Sequence, residues 1–260
     1  MALPLSAFPK ESARSLQGLL FDLDDTVLDH GSLSPLAFSA LFALQNVGLK
    51  LVAVTGRPAA WGQVLLRQWP LDGVVTENGL ISLKQEQGRV VLCDRLPPSL
   101  RHERSRELDA LINEIRQRWP LVPVTDDNFG RVADRALDIA ETVTIDEETV
   151  DQIREFARVQ GARTVRSSIQ LHISFDVDDK ATGTLRFLSE TLRIDPTLAR
   201  YRFAYIGDSQ NDAPCFAGFE HTFGVANLSG HFSCPPRYLT PSERGLGFTE
   251  LASVLSKLRD

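Results

Sequence analysis

Short apolar runs alternate with helix-like segments over the first 75 residues, and this alternation constrains the fold more than any other feature. Each run is long enough for one buried strand, and the segments between the runs begin and end as helices do. Ser34 and Pro35 suit the N-cap and the first position of a helix, and Gly48 suits the residue after its end. The order β-α-β-α-β predicts a parallel sheet with helices on its faces.

The pattern changes in the middle of the chain. After Asn78-Gly79, a hairpin is predicted at 80–93 and a long charged helix at 98–119. Hydrophobic and polar residues then alternate from 169 to 176, which predicts a strand with one buried and one exposed face. This mixed block differs in kind from the parallel unit before it.

The end of the chain returns to the first pattern, with a strand predicted at 201–206 and a closing helix at 251–258. We therefore expect an α/β fold, a Rossmann-like parallel sheet with helices on both faces, built from both ends of the chain. The catalytic core is expected at 1–84 and 176–260, and an inserted α+β cap domain at 85–175. The opening residues, rich in Ser, Pro and Ala, are expected to be a loose lead-in.

Composition excludes several classes of protein. The 260 residues include 28 Lys and Arg against 34 Asp and Glu, a formal net charge of −6 at pH 7. Nucleic acids and anionic membranes attract clustered positive charge, so neither is an expected partner. The three cysteines, Cys93, Cys215 and Cys234, lie far apart, which argues against a disulfide framework. Together with the lack of a signal-peptide pattern, this cysteine usage favours a cytoplasmic location. The oligomeric state is expected to be a monomer or a homodimer.

Asp22 and Asp24 follow the first predicted strand, two residues apart. In an extended chain their side chains point the same way, and the repulsion between them favours a bound dication such as Mg²⁺. A carboxylate can also attack phosphorus, while a second carboxylate protonates the leaving oxygen and later activates water. Taken alone, such a pair is also typical of a solvated acidic turn.

Two further segments are suited to holding a phosphate. Thr55 and Gly56 follow a strand and open a helix, where a hydroxyl and backbone N–H groups can seat an anion. Lys180 begins a helix, where the helix dipole disfavours a cation, so an anion should hold it there. The alternatives are a plain N-cap at the first segment, and a surface lysine paired with Asp178 or Asp179 at the second.

The segment Gly207–Asp212 ends another predicted strand and opens a helix. Asp208 suits a metal ligand, Asn211 can donate to a phosphate oxygen, and Asp212 can orient Lys180; a capped Gly-Asp turn is the alternative. Every one of these segments lies at the end of a predicted strand or the start of a helix beside it. Open parallel sheets bind ligands at that edge, so the joint occurrence indicates a phosphate-handling site.

The sequences FDLDDT, VTGRP and GDSQND, together with Lys180, resemble the four motifs of the haloacid dehalogenase superfamily of phosphohydrolases. The position of the insert, between the second motif and the lysine, is similar to that in the subgroup with a large αβ cap in mid-chain. This subgroup includes the sucrose-phosphate, trehalose-phosphate and mannosyl-3-phosphoglycerate phosphatases, and phosphomannomutase. The segments 75–79 and 173–176 also look like segments of these proteins.

The resemblance implies a role for each motif residue. Asp22 would be the nucleophile and Asp24 the general acid and base of a Mg²⁺-dependent reaction through an aspartyl-phosphate. Mg²⁺ would be held by Asp22, the Asp24 backbone carbonyl and Asp208. The phosphate would be held by the Leu23 amide, Thr55, Gly56, Lys180 and Asn211. Asp212 and Arg57 would support the site. The chain departs from the family at Ala181, where glycine is usual, and at 214–216, where many relatives carry methionine. Neither departure removes a catalytic group.

Substrate choice is expected to lie in the cap, because loops over a fixed catalytic floor usually set specificity. The candidates are polar residues of the cap: Arg131, Arg135, Arg166, Gln170 and His172. An arginine fork matches a carboxylate or a second phosphate. The alternative is that the arginines form surface ion pairs and that His172 is an ordinary sheet residue. Trp61 is expected to pack in its helix.

The leading hypothesis is a phosphatase acting on a small phosphorylated metabolite, a sugar phosphate or a glycosyl-phosphoglycerate. A phosphosugar mutase of the same fold is the enzymatic alternative, and it would return the phosphoryl group to the product. A catalytically idle regulatory or binding protein is the alternative from another class, although the intact set of charged residues argues against decay. A phospho-receiver domain also uses an aspartyl-phosphate, but it is shorter and has no cap.

Overall fold

The apolar runs of the sequence form strands of one central sheet in the computed structural model, which describes residues 2–228, 232 and 234–259. The strands are β1 (Leu3–Pro4), β2 (Gly18–Phe21), β3 (Leu28–Asp29), β4 (Ser32–Leu33), β5 (Lys50–Val54), β6 (Gly73–Thr76), β7 (Ile81–Glu86), β8 (Arg89–Asp94), β9 (Arg135–Asp138), β10 (Arg163–Arg166), β11 (Gln170–Ser174), β12 (Phe203–Gly207), β13 (His221–Gly224) and β14 (Tyr238–Leu239). The α-helices are α1 (Lys10–Ser15), α2 (Pro35–Asn46), α3 (Ala59–Gln68), α4 (Pro98–Arg118), α5 (Glu147–Val159), α6 (Lys180–Glu190), α7 (Pro196–Arg202), α8 (Ala213–Gly218) and α9 (Arg244–Arg259).

The central sheet has nine strands in the order β1-β14-β13-β12-β2-β5-β6-β7-β8. All pairings from β1 to β6 are parallel, and β7 and β8 add antiparallel strands at one edge. The chain order reverses at β2, which has β12 on one side and β5 on the other. Such a reversal opens a crevice at the carboxyl ends of the neighbouring strands.

Helices cover both faces of the sheet, so its central strands are apolar on both sides. Leu19 and Phe21 of β2 belong to one buried cluster, with residues of α2, α3 and α9. Leu20 and Val52 belong to a second buried cluster on the opposite face, with residues of α6 and α8. Strands buried on both faces read as continuous apolar runs, which is how they stood out in the sequence. The expected α/β fold is confirmed.

Residues 2–16 are not the loose lead-in that we expected. Strand β1 pairs with β14, and Leu5, Phe8, Ala13 and Leu16 are buried. The ring of Phe8 packs edge-on against Phe223, with centroids 5.0 Å apart. Because these contacts join the two ends of the chain, local composition gave no sign of them.

Strand β8 corrects one expected boundary. We placed the start of the cap at residue 85, but that position lies inside β7, and β8 pairs with β7 along its full length. Residues 85–94 therefore extend the central sheet. The strand is only partly buried because it lies at the edge of the sheet. The sequence predicted the hairpin at 80–93 but not the pairing of β7 with β6, which adds the hairpin to the central sheet.

The inserted unit, residues 98–174, contains α4, α5 and a three-stranded sheet in the order β10-β11-β9. It encloses its own buried apolar cluster, which includes Ile115 of α4, Ile153 of α5 and Leu171 of β11. The other face of β11 was expected to be exposed, and this was wrong. His172 and Ser174 on that face are 4% and 7% exposed, because it packs against the core.

Two connections join the inserted unit to the core, and one arginine binds both of them. Arg101, in the first turn of α4, donates to Asp94 at the end of β8, with Nε 2.6 Å from Oδ2. Its Nη2 also lies 2.6 Å from Asp176 Oδ2, just after β11. All three side chains are largely buried.

Within the described residues, no helix has the length and apolarity needed to span a membrane.

Candidate active site

The predicted motif residues follow neighbouring strands of the sheet. Asp22 follows β2, Thr55 follows β5 and Asp208 follows β12, and these three strands lie side by side. The sheet ladder continues into the motifs, since the Asp22 amide donates to Ile206 O at 3.0 Å and the Thr55 amide donates to Val75 O at 2.8 Å. Rigid strands thus bring the first, second and fourth motifs to one edge.

Lys180 is the first residue of α6 and is 1% exposed. Its Nζ lies 2.7 Å from Asp22 Oδ1 and 2.7 Å from Asp212 Oδ1. The alternative of a surface lysine paired with Asp178 or Asp179 is therefore wrong. Asp178 pairs with Arg186 instead, and Asp179 caps α6. The two carboxylates hold the pKa of Lys180 above its usual value despite burial, so the lysine stays charged.

Asp212 organises the site through all of its lone pairs. Oδ1 accepts from Lys180 and from the Tyr205 hydroxyl at 2.5 Å. Oδ2 accepts from the backbone amides of Asp208 and Ser209, both at 3.0 Å. With both oxygens occupied, Asp212 orients Lys180 and fixes the loop that carries Asp208. Tyr205 had not been singled out in the sequence, because a tyrosine inside an apolar strand reads as core.

The acidic groups at this edge fit a divalent cation. One carboxylate oxygen each of Asp22, Asp208 and Asp212 lie within 4.8 Å of one another. Since the oxygens of Asp212 are taken, Asp22 and Asp208 are the free ligands. Three carboxylates against the single ammonium of Lys180 leave two negative charges uncompensated. Hard oxygen donors with an excess of negative charge are what Mg²⁺ requires.

Without such a cation, keeping these buried carboxylates ionised costs free energy. Burial raises the pKa of Asp22 to about 7, although Lys180 opposes the shift. Burial also raises the pKa of Asp208 well above its usual value, and the charges of Asp22 and Asp212 raise it further. A bound cation would reverse this balance and stabilise both carboxylates.

Asp24 faces the same cavity as Asp22 but has a different partner. The guanidinium of Arg57 binds both of its oxygens and lies 3.8 Å from the centroid of the Trp61 ring. Trp61 also lines the cavity, in contrast to the purely packing role that we expected. Arg57, predicted to support the site, is thus in direct contact with Asp24.

The residues predicted to hold phosphate surround the same edge. Leu23 lies between the two aspartates, and Thr55 Oγ1 accepts from the Arg57 amide at 3.1 Å. Gly56 follows, and its backbone is covered so closely that an added methyl group would lie 3.2 Å from His172 Nε2. Asn211 lines the cavity, with its Nδ2 3.3 Å from Asn78 Oδ1.

A cavity of about 140 Å³ separates the core from the inserted unit. Its core side carries Asp22, Asp24, Arg57 and Asp208, and the inserted unit contributes Asp126, Asp127, Glu141, Gln170 and His172. The inserted unit thus presents three acidic side chains to the carboxyl edge of the sheet, together with Ser167 and Ser168. We had not identified its three acidic residues, since isolated acids in polar loops carry no distinctive pattern.

The arginines proposed for the cap are occupied elsewhere. The buried Arg131 binds Asp127, Asp134 and the Gly56 carbonyl oxygen, so its fork is not free for a substrate. Two other arginines bind partners outside the cavity: Arg135 bonds to Asp109 and Ser105, and Arg166 bonds to Glu147. For these three, the structure corrects the expected role in substrate binding, because ion pairs within the protein satisfy their donors.

Glu77 joins the core to the inserted unit, and sequence reasoning missed it. Its carboxylate is fully buried and accepts from four backbone amides, those of Ala59, Val132, Ala133 and Asp134, at 2.6–3.1 Å. Three of these amides belong to the inserted unit. Glu77 therefore fixes the segment that carries Arg131 and Asp134 against the core.

Part of the chain matches a known protein family, and one relative is similar over most of the chain. Residues 19–118 match the family of haloacid dehalogenase-like hydrolases. The phosphoglycolate phosphatase of Archaeoglobus fulgidus is 24% identical over 245 residues, which cover 94% of this chain and 98% of that protein.

Two solved structures show how widely the fold is shared. A Thermoplasma acidophilum protein superposes with a TM-score of 0.74 at 19% identity, covering 94% of this chain and 99% of that one. The sucrose-phosphatase of Synechocystis sp. PCC6803, solved with sucrose and phosphate, superposes with a TM-score of 0.65 at 18% identity, covering 92% and 98%. The chain shares the fold of these two proteins over nearly its whole length.

Proposed function

We propose that this protein is a Mg²⁺-dependent phosphatase that hydrolyses a small sugar or polyol phosphate through an aspartyl-phosphate on Asp22. The observation that carries the proposal is the buried contact of Asp22 with Lys180, beside Asp24 and Asp208 at the carboxyl edge of the sheet. An ion pair with a purely structural role would not require Asp24 and Asp208 in the same cavity. The family match and the phosphatase among the relatives support the reaction class.

The residues present fit the metal that this reaction uses. Asp22 and Asp208 would hold Mg²⁺ through their carboxylates, with the Asp24 backbone carbonyl as the third protein ligand implied by the family resemblance. When bound, the ion would neutralise charge on the phosphoryl oxygens.

The side chains of the chain divide the chemistry among them. An Asp22 oxygen attacks phosphorus as the ester P–O bond breaks, and Asp24, protonated and turned away from Arg57, gives its proton to the leaving alcohol oxygen. Asp24 then takes a proton from water, whose oxygen attacks phosphorus and releases phosphate and the Asp22 carboxylate. Lys180, held by Asp212, places positive charge beside the nucleophile throughout.

The cavity favours a leaving group with hydroxyls over one with a carboxylate. The inserted unit presents Asp126, Asp127 and Glu141 to the cavity. Asp127 already accepts from Arg131 and Glu141 from Gln170, but each carboxylate has further lone pairs that can accept. A polyol offers donors to these acceptors, whereas a glycolate carboxylate offers none and would lie among acidic groups. We therefore favour a sugar or polyol phosphate over phosphoglycolate, the substrate in the name of the Archaeoglobus relative.

A panel of phosphate esters tests the proposal. Purified protein is assayed with Mg²⁺ against glucose 6-phosphate, ribose 5-phosphate, glycerol 3-phosphate, phosphoglycolate and para-nitrophenyl phosphate, with phosphate release as the readout. We expect the polyol esters to have the highest kcat/KM. A preference for phosphoglycolate would refute the proposed substrate class but would still support the proposed phosphatase reaction.

Two other outcomes would point to the alternative functions. Formation of an isomeric sugar phosphate without phosphate release, followed by ³¹P NMR, would identify a mutase. No turnover of any ester by the folded protein with Mg²⁺ would favour a catalytically idle binding protein.

A further inference from the structure

His172 lies on the inner face of β11, above the Gly56 backbone, and lines the cavity. It is 4% exposed, and the contacts of its ring with polar groups are made through Nδ1. Nδ1 lies 2.9 Å from Asp134 Oδ2 and 3.4 Å from Arg131 Nη1, which itself donates to Asp134 and to the Gly56 carbonyl oxygen. Nε2 has no hydrogen-bond partner within the described part of the chain. One nitrogen is thus fixed by the protein, and the other remains available.

The partner of Nδ1 determines where the imidazole carries its proton. Burial tends to raise the pKa of Asp134, but the charge of Arg131 and the hydrogen bond of His172 outweigh it and lower the pKa to about 2. Asp134 is therefore an ionised carboxylate, which can only accept. Burial also lowers the pKa of His172, so the ring is neutral near pH 7. A neutral ring that donates from Nδ1 presents a lone pair at Nε2.

We propose that His172 is a specificity-determining residue whose Nε2 accepts a hydrogen bond from a hydroxyl group of the leaving alcohol. This inference rests on the proposed phosphatase function and assigns one contact of its substrate. Asp134 and Arg131 are positioning residues in this arrangement, since Asp134 fixes the tautomer and Arg131 binds both Asp134 and the Gly56 carbonyl oxygen.

The surroundings of His172 favour a hydroxyl as its partner. A carboxylate or phosphate oxygen cannot donate to a lone pair, and Arg131, the nearest cation, has its donors occupied by protein acceptors. The next side chain on the same face, Gln170, already donates to Glu141 at 2.9 Å. Nε2 is therefore the acceptor that this part of the cavity leaves open to a neutral donor.

Two substitutions separate this role from a purely structural one. In His172→Asn, the side-chain amide can still donate to Asp134 in place of Nδ1, but the acceptor at the position of Nε2 is lost. In His172→Gln, the longer side chain can place an amide oxygen near the position of Nε2. Arg166→Gln is the control, because Arg166 lies in the same sheet but binds Glu147 outside the cavity. Thermal unfolding confirms that each variant is folded.

The readout is the ratio of kcat/KM for ribose 5-phosphate or glucose 6-phosphate to kcat/KM for para-nitrophenyl phosphate, which has no hydroxyl. Loss of one neutral hydrogen bond in a buried site should lower this ratio about tenfold in His172→Asn. His172→Gln should recover part of the loss, and Arg166→Gln should retain the wild-type ratio.

An unchanged ratio in folded His172→Asn, or an equal fall for all esters, would overturn the inference and leave the phosphatase standing. If His172→Asn does not fold, the kcat/KM ratio of His172→Gln decides. A ratio close to that of the wild type supports the inference, and a tenfold fall in the ratio overturns it. No hydrolysis of any ester by the wild-type protein would overturn the proposed function itself, and this inference with it.

Discussion

Arg57 binds both carboxylate oxygens of Asp24, with Nε 3.0 Å from Oδ1 and 2.9 Å from Oδ2. The plane of the same guanidinium lies against the Trp61 ring. An arginine fixed on its face by an aromatic ring and at its edge by a carboxylate has little freedom left. It therefore fixes where the carboxylate of Asp24, the proposed general acid and base, lies in the cavity.

Arg57→Lys should lower kcat more than it raises KM. Lysine keeps the charge but cannot bind two oxygens in one plane or stack on Trp61. A misdirected general acid typically costs about 10- to 100-fold in rate. Steady-state kinetics on the best ester of the panel measures the effect, with Arg166→Gln as control. An unchanged kcat would show that Asp24 does not depend on this ion pair.

Asp22→Asn should abolish phosphate release, by at least about a thousandfold, because an amide cannot form the phosphoryl-enzyme bond. The variant should still fold. Burial raises the pKa of Asp22 to about 7, so this buried position accommodates a neutral side chain at least as well as a charged one. Circular dichroism checks folding, and the exposed Asp151→Asn is the matched control. Wild-type turnover by pure, folded Asp22→Asn would exclude Asp22 as the nucleophile.

Mg²⁺ should stabilise the protein against unfolding in the absence of substrate. Binding at about one hundred times its Kd adds about 2.7 kcal/mol to the free energy of unfolding. Asp208→Asn should lose most of this gain, because it removes one of the two free carboxylate ligands, whereas Asp151→Asn should retain it. Thermal unfolding with Mg²⁺ or with EDTA measures the effect. Equal stabilisation of Asp208→Asn would place the ion elsewhere.

Asp134 should contribute stability that is lost in acid. Its pKa is lowered to about 2 in the folded protein from an ordinary 3.8. The contribution is therefore complete above about pH 4 and disappears as the pH falls towards 2. A shift of this size corresponds to about 2 kcal/mol.

Urea unfolding between pH 5 and pH 3 tests this dependence. The free energy of unfolding of Asp134→Asn should fall less steeply with acid than that of the wild type. Parallel curves for the two proteins would show that Asp134 keeps an ordinary pKa when folded.

Glu77→Gln should destabilise the contact between the core and the inserted unit. The amide group of glutamine would face backbone N–H donors where a carboxylate oxygen now accepts from them. Each buried donor left without an acceptor costs about 1–3 kcal/mol. Urea unfolding and faster hydrogen exchange at residues 132–134 would report the loss. Glu86→Gln, an exposed glutamate of β7, is the control, and equal exchange in both variants would contradict the prediction.

The sequence predicted which motif residues of the core meet at one edge of the sheet, because the signals for each motif are local. Strand ends, helix starts and the unfavourable position of Lys180 at a helix N-terminus can all be read within a few residues. The sheet then brings these segments together by its topology. The partner of Lys180 was predictable for the same reason, since Asp212 begins the helix beside it.

The inserted unit was harder to predict because its contacts depend on how it docks. Alternation in β11 placed His172 and Gln170 on one face but could not show that the core covers that face. Arg131, Arg135 and Arg166 share a residue type and differ only in their neighbours, which lie up to 75 residues away. Long-range pairing of this kind leaves no local pattern.

Arg101 binds the chain where it enters the inserted unit and where it leaves. A single guanidinium thus holds the two connections beside each other, so the inserted unit is anchored to the core at one place. Loss of this side chain would leave two carboxylates without their cation and would free the entry and the exit of the inserted unit together.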